Sequence, residues 1–172
     1  MSATETAIEY FLENYEEKLS QYIEFLKIPS ISTDPACKED MEAAQNFLAE
    51  RLRSIGMTLV QSFPTNIHPI LYAENTDAGA DAPTLLIYGH YDVQPPDPLN
   101  EWCSAPFDPQ IRGDYLYARG ASDMKGQVMA TIVALESVLK TSKLPINVKF
   151  LLEGEEEIGS PSLDDFIAKQ KD

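Results

Sequence analysis

Thr84-Leu85-Leu86-Ile87-Tyr88-Gly89-His90-Tyr91-Asp92-Val93-Gln94 decides how the rest of the chain is read. Its first five residues form a short apolar run, which predicts a strand. The run closes on a glycine and then offers a histidine and an aspartate two residues apart. Outward from it, residues 126–140 carry Val128, Ile132, Val133, Leu135 and Val138 at helical spacing. Residues 147–152 then make a second, more apolar strand. Toward the N-terminus, residues 57–60 and 70–73 are further short apolar runs bounded by turn residues, hence strands. Residues 115–118 add one more.

Two helices precede these strands. Over residues 5–27, Ile8, Phe11, Leu12, Tyr15, Leu19, Tyr22, Ile23 and Leu26 recur on one face, and Ile28-Pro29 ends the segment. Residues 38–54 form the second, carried by Met41, Ala44, Phe47, Leu48 and Leu52 and stopped at Gly56. Residues 162–171 open another helix. Helices alternating with buried strands predict an α/β fold with a mixed, largely parallel sheet flanked by helices. Sites in such sheets form beyond the carboxyl ends of the strands, which directs attention to the residues just after each strand.

Composition narrows the function. Of 172 residues, 44% are apolar and 24% charged, the balance of a chain that builds a core. Thirteen Lys and Arg stand against 28 Asp and Glu, a formal charge of −15. No basic face exists to neutralise nucleic-acid phosphates or to meet an anionic membrane surface, so neither is an expected partner. An acidic chain is suited to holding cations. No apolar run reaches the length of a membrane span, and the N-terminus lacks a secretory pattern. Cys37 and Cys103 match neither a disulfide framework nor a CxxC metal site, and they read as reduced thiols of a cytoplasmic protein.

Three clusters follow strands or precede a helix. In the first, His90 and Asp92 project to one side if the backbone stays extended, and a carboxylate beside a metal-bound histidine fixes its tautomer. The second is Arg119-Gly120-Ala121-Ser122-Asp123-Met124-Lys125-Gly126, in which Asp123 taken alone suits a helix N-cap. Its glycines form neither a GxGxxG nor a P-loop, so no phosphate cradle is expected. The third is Glu153-Gly154-Glu155-Glu156-Glu157-Ile158-Gly159-Ser160, a run of carboxylates at the end of the most apolar strand. Like charges gathered there call for a counterion, and adjacent carboxylates can divide ligation from proton transfer. His90, Asp123 and Glu157 are spaced by 33 and 34 residues, about one strand crossover each. Histidine with carboxylates and no cysteine suits zinc in a catalytic site, so the three clusters together point to metal-assisted hydrolysis.

The order of these motifs, with Trp102 and Pro106-Phe107 between the first two, resembles the zinc metallopeptidases that include carnosine dipeptidase, aminoacylase, carboxypeptidase G and succinyl-diaminopimelate desuccinylase. Val93-Gln94-Pro95-Pro96 and Glu101-Trp102 are more similar to the dipeptidase branch. The resemblance implies a phosphorylase/hydrolase-like catalytic domain with two zinc ions, for which cobalt or manganese could substitute. It implies that His90 ligates one zinc, that Asp92 orients His90, and that Asp123 bridges the metals, with a cis peptide after it. It further implies Glu157 as ligand of the opposite zinc and Glu156 as general base, because the family's pair immediately precedes a residue followed by Gly-Ser. The expected substrate is a small peptide or N-acyl amino acid.

Family members are longer, with a later acidic ligand, a second ligating histidine and an inserted domain used for dimerisation. Residues 1–172 are therefore expected to form the N-terminal portion of the catalytic domain, inactive by itself and homodimeric when complete. The other histidine here, His68, lies upstream at a strand start and reads as structural, and Lys125 reads as a solvent-facing lysine at a helix start. A non-catalytic metal-binding or interaction module is the alternative.

Overall fold

Residues 1–170 are described by a computed structural model. The expected N-terminal helix is two: α1 (Ala3–Glu13) and α2 (Tyr15–Leu26). The apolar stripe runs through the break, which falls at Asn14, whose side-chain amide donates to the Tyr10 carbonyl (2.8 Å). Asparagine competes for backbone groups in this way and so disfavours a helix interior. Ser2 and Glu5 form a capping box at the start of α1. Helix α3 (Lys38–Ile55) ends on Gly56 in the left-handed conformation (φ +104°), the stop that the sequence predicts.

The strands are β1 (Leu59–Phe63), β2 (Ile70–Asn75), β3 (Thr84–His90) and β6 (Asn147–Glu153), in the spatial order β1-β2-β6-β3. The sheet is mixed, but the expected parallel majority is not found. Only β3 and β6 run parallel, while β1–β2 and β2–β6 are antiparallel. The short link from β1 to β2 returns the chain antiparallel, and β6 then inserts beside β2 rather than at an edge. A separate hairpin of β4 (Gln110–Arg112) and β5 (Tyr115–Tyr117) lies in the excursion after β3. Helix α4 (Lys125–Thr141) makes the crossover to β6, and α5 (Leu163–Lys169) follows it. The expected end of that last helix at Lys171 lies outside the described residues.

Helices α3 and α4 pack on one face of the sheet, and α1 and α2 pack against α4. Phe25, Leu48, Leu52, Leu71, Val128, Met129, Ile132, Phe150 and Leu152 form its core with little or no exposure. On the other face lies the short α5, where Phe166 meets Phe63 edge to face with ring centroids 5.2 Å apart. Leu59, Leu86 and Tyr88 on this face are left exposed. Within the sheet, the pairing of β3 with β6 does most to place polar groups together. Its last register pair is His90 with Glu153, so two of the three clusters emerge side by side from one end of the sheet.

Candidate metal centre

His90 is the last residue of β3 and is buried. Its Nδ1 lies 3.1 Å from the Asp92 carbonyl oxygen and 3.3 Å from the Asp92 carboxylate. A ring nitrogen held that way leaves Nε2 as the atom facing outward. Nε2 sits 3.2 Å from Asp123 Oδ1 and 3.8 Å from Glu156 Oε2. Burial alone disfavours the imidazolium, yet the hydrogen bond and charge of Asp92, with Glu156 adding, raise the His90 pKa to about 9.

Asp92 has no exposed surface. Besides flanking His90, its carboxylate accepts the backbone N–H groups of Glu156 (3.3 Å) and Glu157 (3.0 Å). One buried carboxylate thus joins the end of β3 to the glutamate turn after β6. Charge-assisted hydrogen bonds of this kind are the stronger class.

The glutamates divide by direction. Glu153 points inward and accepts from Tyr88 and Ser160 hydroxyls, with its pKa raised chiefly by burial. Glu155 is also buried. It accepts from the Thr65 hydroxyl, the His68 N–H and both donors of Ser162, and these bonds outweigh the effect of burial and lower its pKa. It therefore pins the 64–69 loop rather than joining the cluster. Glu156 and Glu157 start a single 3₁₀ turn that ends at Gly159 (φ +87°), and both face the cluster. Gln94 donates its side-chain amide to Glu157 Oε2 (2.8 Å). Burial nevertheless leaves the Glu157 pKa raised, and the Asp123 charge adds to that effect.

Asp123 does not cap α4: Met124 occupies that position, and no side chain caps the helix. The peptide bond from Asp123 to Met124 is cis, as the resemblance implies. The Asp123 side chain is 74% exposed and meets His90. Donor atoms of His90, Asp123 and Glu157 lie within 4.8 Å of one another. Among the described residues, the ion-pair contacts of Asp92, Asp123 and Glu156 are all with His90. One imidazole and convergent carboxylates, without a lysine or arginine against them, are a donor set that fits a divalent cation.

Two other expectations meet different fates. His68 is buried away from the cluster, with Nε2 3.0 Å from the Ser32 carbonyl oxygen, in keeping with a structural part. Lys125 does not face solvent. It is fully buried, its amine donates to the Phe25 (3.1 Å) and Ile28 (2.6 Å) carbonyls at the end of α2, and burial lowers its pKa to about 7. The ends of helices are where carbonyls lack intrahelical donors, so a lysine can be buried there. Neither this contact nor that of Gln94 was assigned from the sequence, because each partner is remote along the chain.

A sequence profile described as peptidase family M20/M25/M40 matches residues 86–172. The Beta-Ala-His dipeptidase of Mus musculus is 32% identical over 179 residues, covering 95% of this chain and 36% of that protein. Among solved structures, the M20 family metallo-carboxypeptidase Sso-CP2 of Sulfolobus solfataricus superposes with a TM-score of 0.81 at 47% identity, covering 89% of this chain and 34% of that one. Human carnosine dipeptidase 1 superposes at 0.88 and 31% identity, with 100% and 39% covered. The chain thus spans little more than a third of the length of these relatives.

Proposed function

The chain belongs to peptidase family M20/M25/M40, and from that premise we propose that His90, Asp123 and Glu157 hold a divalent metal centre, of zinc, for hydrolysis of the amide bond of dipeptides and related N-acyl amino acids. The observation that carries the reading is the convergence of three donor atoms within 4.8 Å at the shared end of β3 and β6. Asp123, which meets His90 through one carboxylate oxygen and can offer the other, is read as the ligand shared between two ions. Glu157, steadied by Gln94, and His90, steadied by Asp92, are read as the ligands on either side of it.

When bound, the metal supplies Lewis acidity toward the substrate carbonyl and lowers the pKa of water. The chain's own residues do the rest. Asp92 holds His90 in the tautomer that presents Nε2. Glu156, the more exposed of the pair, takes the proton of the attacking water at its carboxylate. It returns that proton to the amine nitrogen as the carbon–nitrogen bond breaks, so that acid and amine leave in balance.

Three protein donors are fewer than two ions need. The 172-residue chain by itself is therefore expected to bind zinc weakly and to leave dipeptides intact, activity belonging to a chain that supplies further ligands. The cytoplasmic setting expected from the cysteines and the homodimeric assembly expected from the resemblance are part of the same proposal; no described helix is long and apolar enough to cross a membrane.

Zinc content and dipeptide hydrolysis of the chain, of Asp123→Asn and of Glu156→Ala test the reading. The expected result is zinc lost in the first variant and retained in the second. Zinc retained equally by Asp123→Asn, or equal metal-independent hydrolysis by wild type and Glu156→Ala, overturns it. A longer chain that binds zinc through these residues and hydrolyses nothing would favour the non-catalytic module.

A further inference from the structure

Asp123 poses a positioning problem. Its carboxylate is largely exposed, and its ion-pair contact is with His90. A ligand so little packed depends on its backbone for its place. Within the 120–127 segment that backbone is tied locally, by Lys125 N–H to the Gly120 carbonyl (3.0 Å) and by the Gln127 amide to the Ser122 carbonyl (2.5 Å). Apart from the contact of Asp123 with His90, the hydrogen bonds that reach from it to another element go to α2 and the residues just after it. The Tyr22 hydroxyl donates to the Ala121 carbonyl (2.6 Å), and Lys125 donates to the Phe25 and Ile28 carbonyls.

The two anchors stand two residues before and two residues after Asp123. Packing beneath them is tight. The Lys125 amine lies 4.6 Å from the centroid of the Phe25 ring. A Cβ placed on Gly126 would fall 2.2 Å from the Ala121 carbonyl oxygen and 2.8 Å from the Tyr22 hydroxyl. The loop therefore sits on α2 with its backbone in direct contact, and α2 contributes nothing else to the cluster.

We propose that Tyr22 and Lys125 are positioning residues of the metal centre, a two-point clamp that fixes Asp123 by holding its loop onto the end of α2. The proposal rests on Asp123 being a metal ligand. It assigns a functional part to a helix that carries no ligand, and it accounts for a lysine buried where a methionine would fill the same space without desolvating an amine.

The test is Co²⁺ titration of the chain, followed by visible absorption, alongside the thermal midpoint of the metal-free protein. The variants are Tyr22→Phe, Lys125→Met and Asp123→Asn, with the core variant Ile55→Val as a control for stability loss. Tyr22→Phe removes one hydroxyl and keeps the ring, so it reports even if Lys125→Met fails to fold. The expected result is a loss of about tenfold or more in Co²⁺ affinity in Tyr22→Phe, the size found when groups supporting a ligand are removed. An altered absorption band should accompany it, while Ile55→Val binds as wild type despite a comparable fall in midpoint. Wild-type affinity and spectrum in Tyr22→Phe, with affinity lost in Asp123→Asn, overturns the clamp alone. Binding by Asp123→Asn equal to wild type, or no saturable binding by wild type, overturns the metal-centre reading and the clamp with it.

Discussion

Asp92 is the residue on which most of the cluster hangs. It is reached by the imidazole of His90 and by the amides of Glu156 and Glu157, and it is fully buried. Asp92→Asn keeps the shape but exchanges an acceptor for a donor, so one of those amides or the imidazole loses its partner. Zinc affinity, measured by competition with a chromophoric chelator, should fall roughly 10- to 100-fold while the fold is retained. An unchanged affinity would remove Asp92 from the site. The pairing of His90 with Asp92 was legible because it is encoded within three residues at a strand end. The hold of Asp92 on the glutamate turn spans more than sixty positions, and nothing local announces it. Lys125 shows the same limit more sharply. A lysine beside a helix start looks solvent-facing until α2 is seen to supply carbonyls to it.

At the scale of elements, Glu136 on α4 binds the helical layer together. Its carboxylate is buried and accepts from Lys18 of α2 (2.8 Å), Arg51 of α3 (2.7 Å) and the Tyr10 hydroxyl of α1 (3.3 Å). Burial alone would raise its pKa, but the Lys18 hydrogen bond and the Arg51 charge outweigh that and lower it below the ordinary carboxylate value. A carboxyl depressed in the folded state contributes stability above its unfolded pKa and loses it as pH falls through the folded one. Glu136→Gln should therefore destabilise the protein by about 1–3 kcal/mol at neutral pH, since Lys18 is left with Glu17 alone and Arg51 loses its charged acceptor. It should also flatten the acid side of the stability profile, as read by urea unfolding across pH. A stability unchanged at pH 7 would show the network to be idle. The helices themselves were legible from periodicity and from Gly56. The interruption at Asn14 was not, because the apolar stripe passes through it unbroken.

At the scale of the whole molecule, the two faces of the sheet differ. Helices fill one, while Leu86 on β3, an outer strand, is more than half exposed on the other and shares a groove of about 540 Å³ with Leu59, Phe63, Tyr72 and α5. An apolar face beside a free strand edge promotes association. Leu86→Lys should shift sedimentation of the 172-residue chain toward monomer with little loss of stability, and identical sedimentation would argue against that face as the cause. The α/β class and the positions of every strand but β4 were readable from the sequence within a few residues. The strand order was not, since β6 chooses a place between β2 and β3 that no local pattern encodes.

That placement has a consequence for folding. Side chains alternate along strands, so a slip of β3 by two residues against β6 returns every apolar group to its original face, and burial alone barely opposes it. Such a slip moves His90 about 7 Å along the ladder from the glutamate turn. Asp92 would then lose both amides that it accepts. The polar cluster thus acts as a proofreading step for the strand alignment, rejecting an error to which oil-like forces are blind.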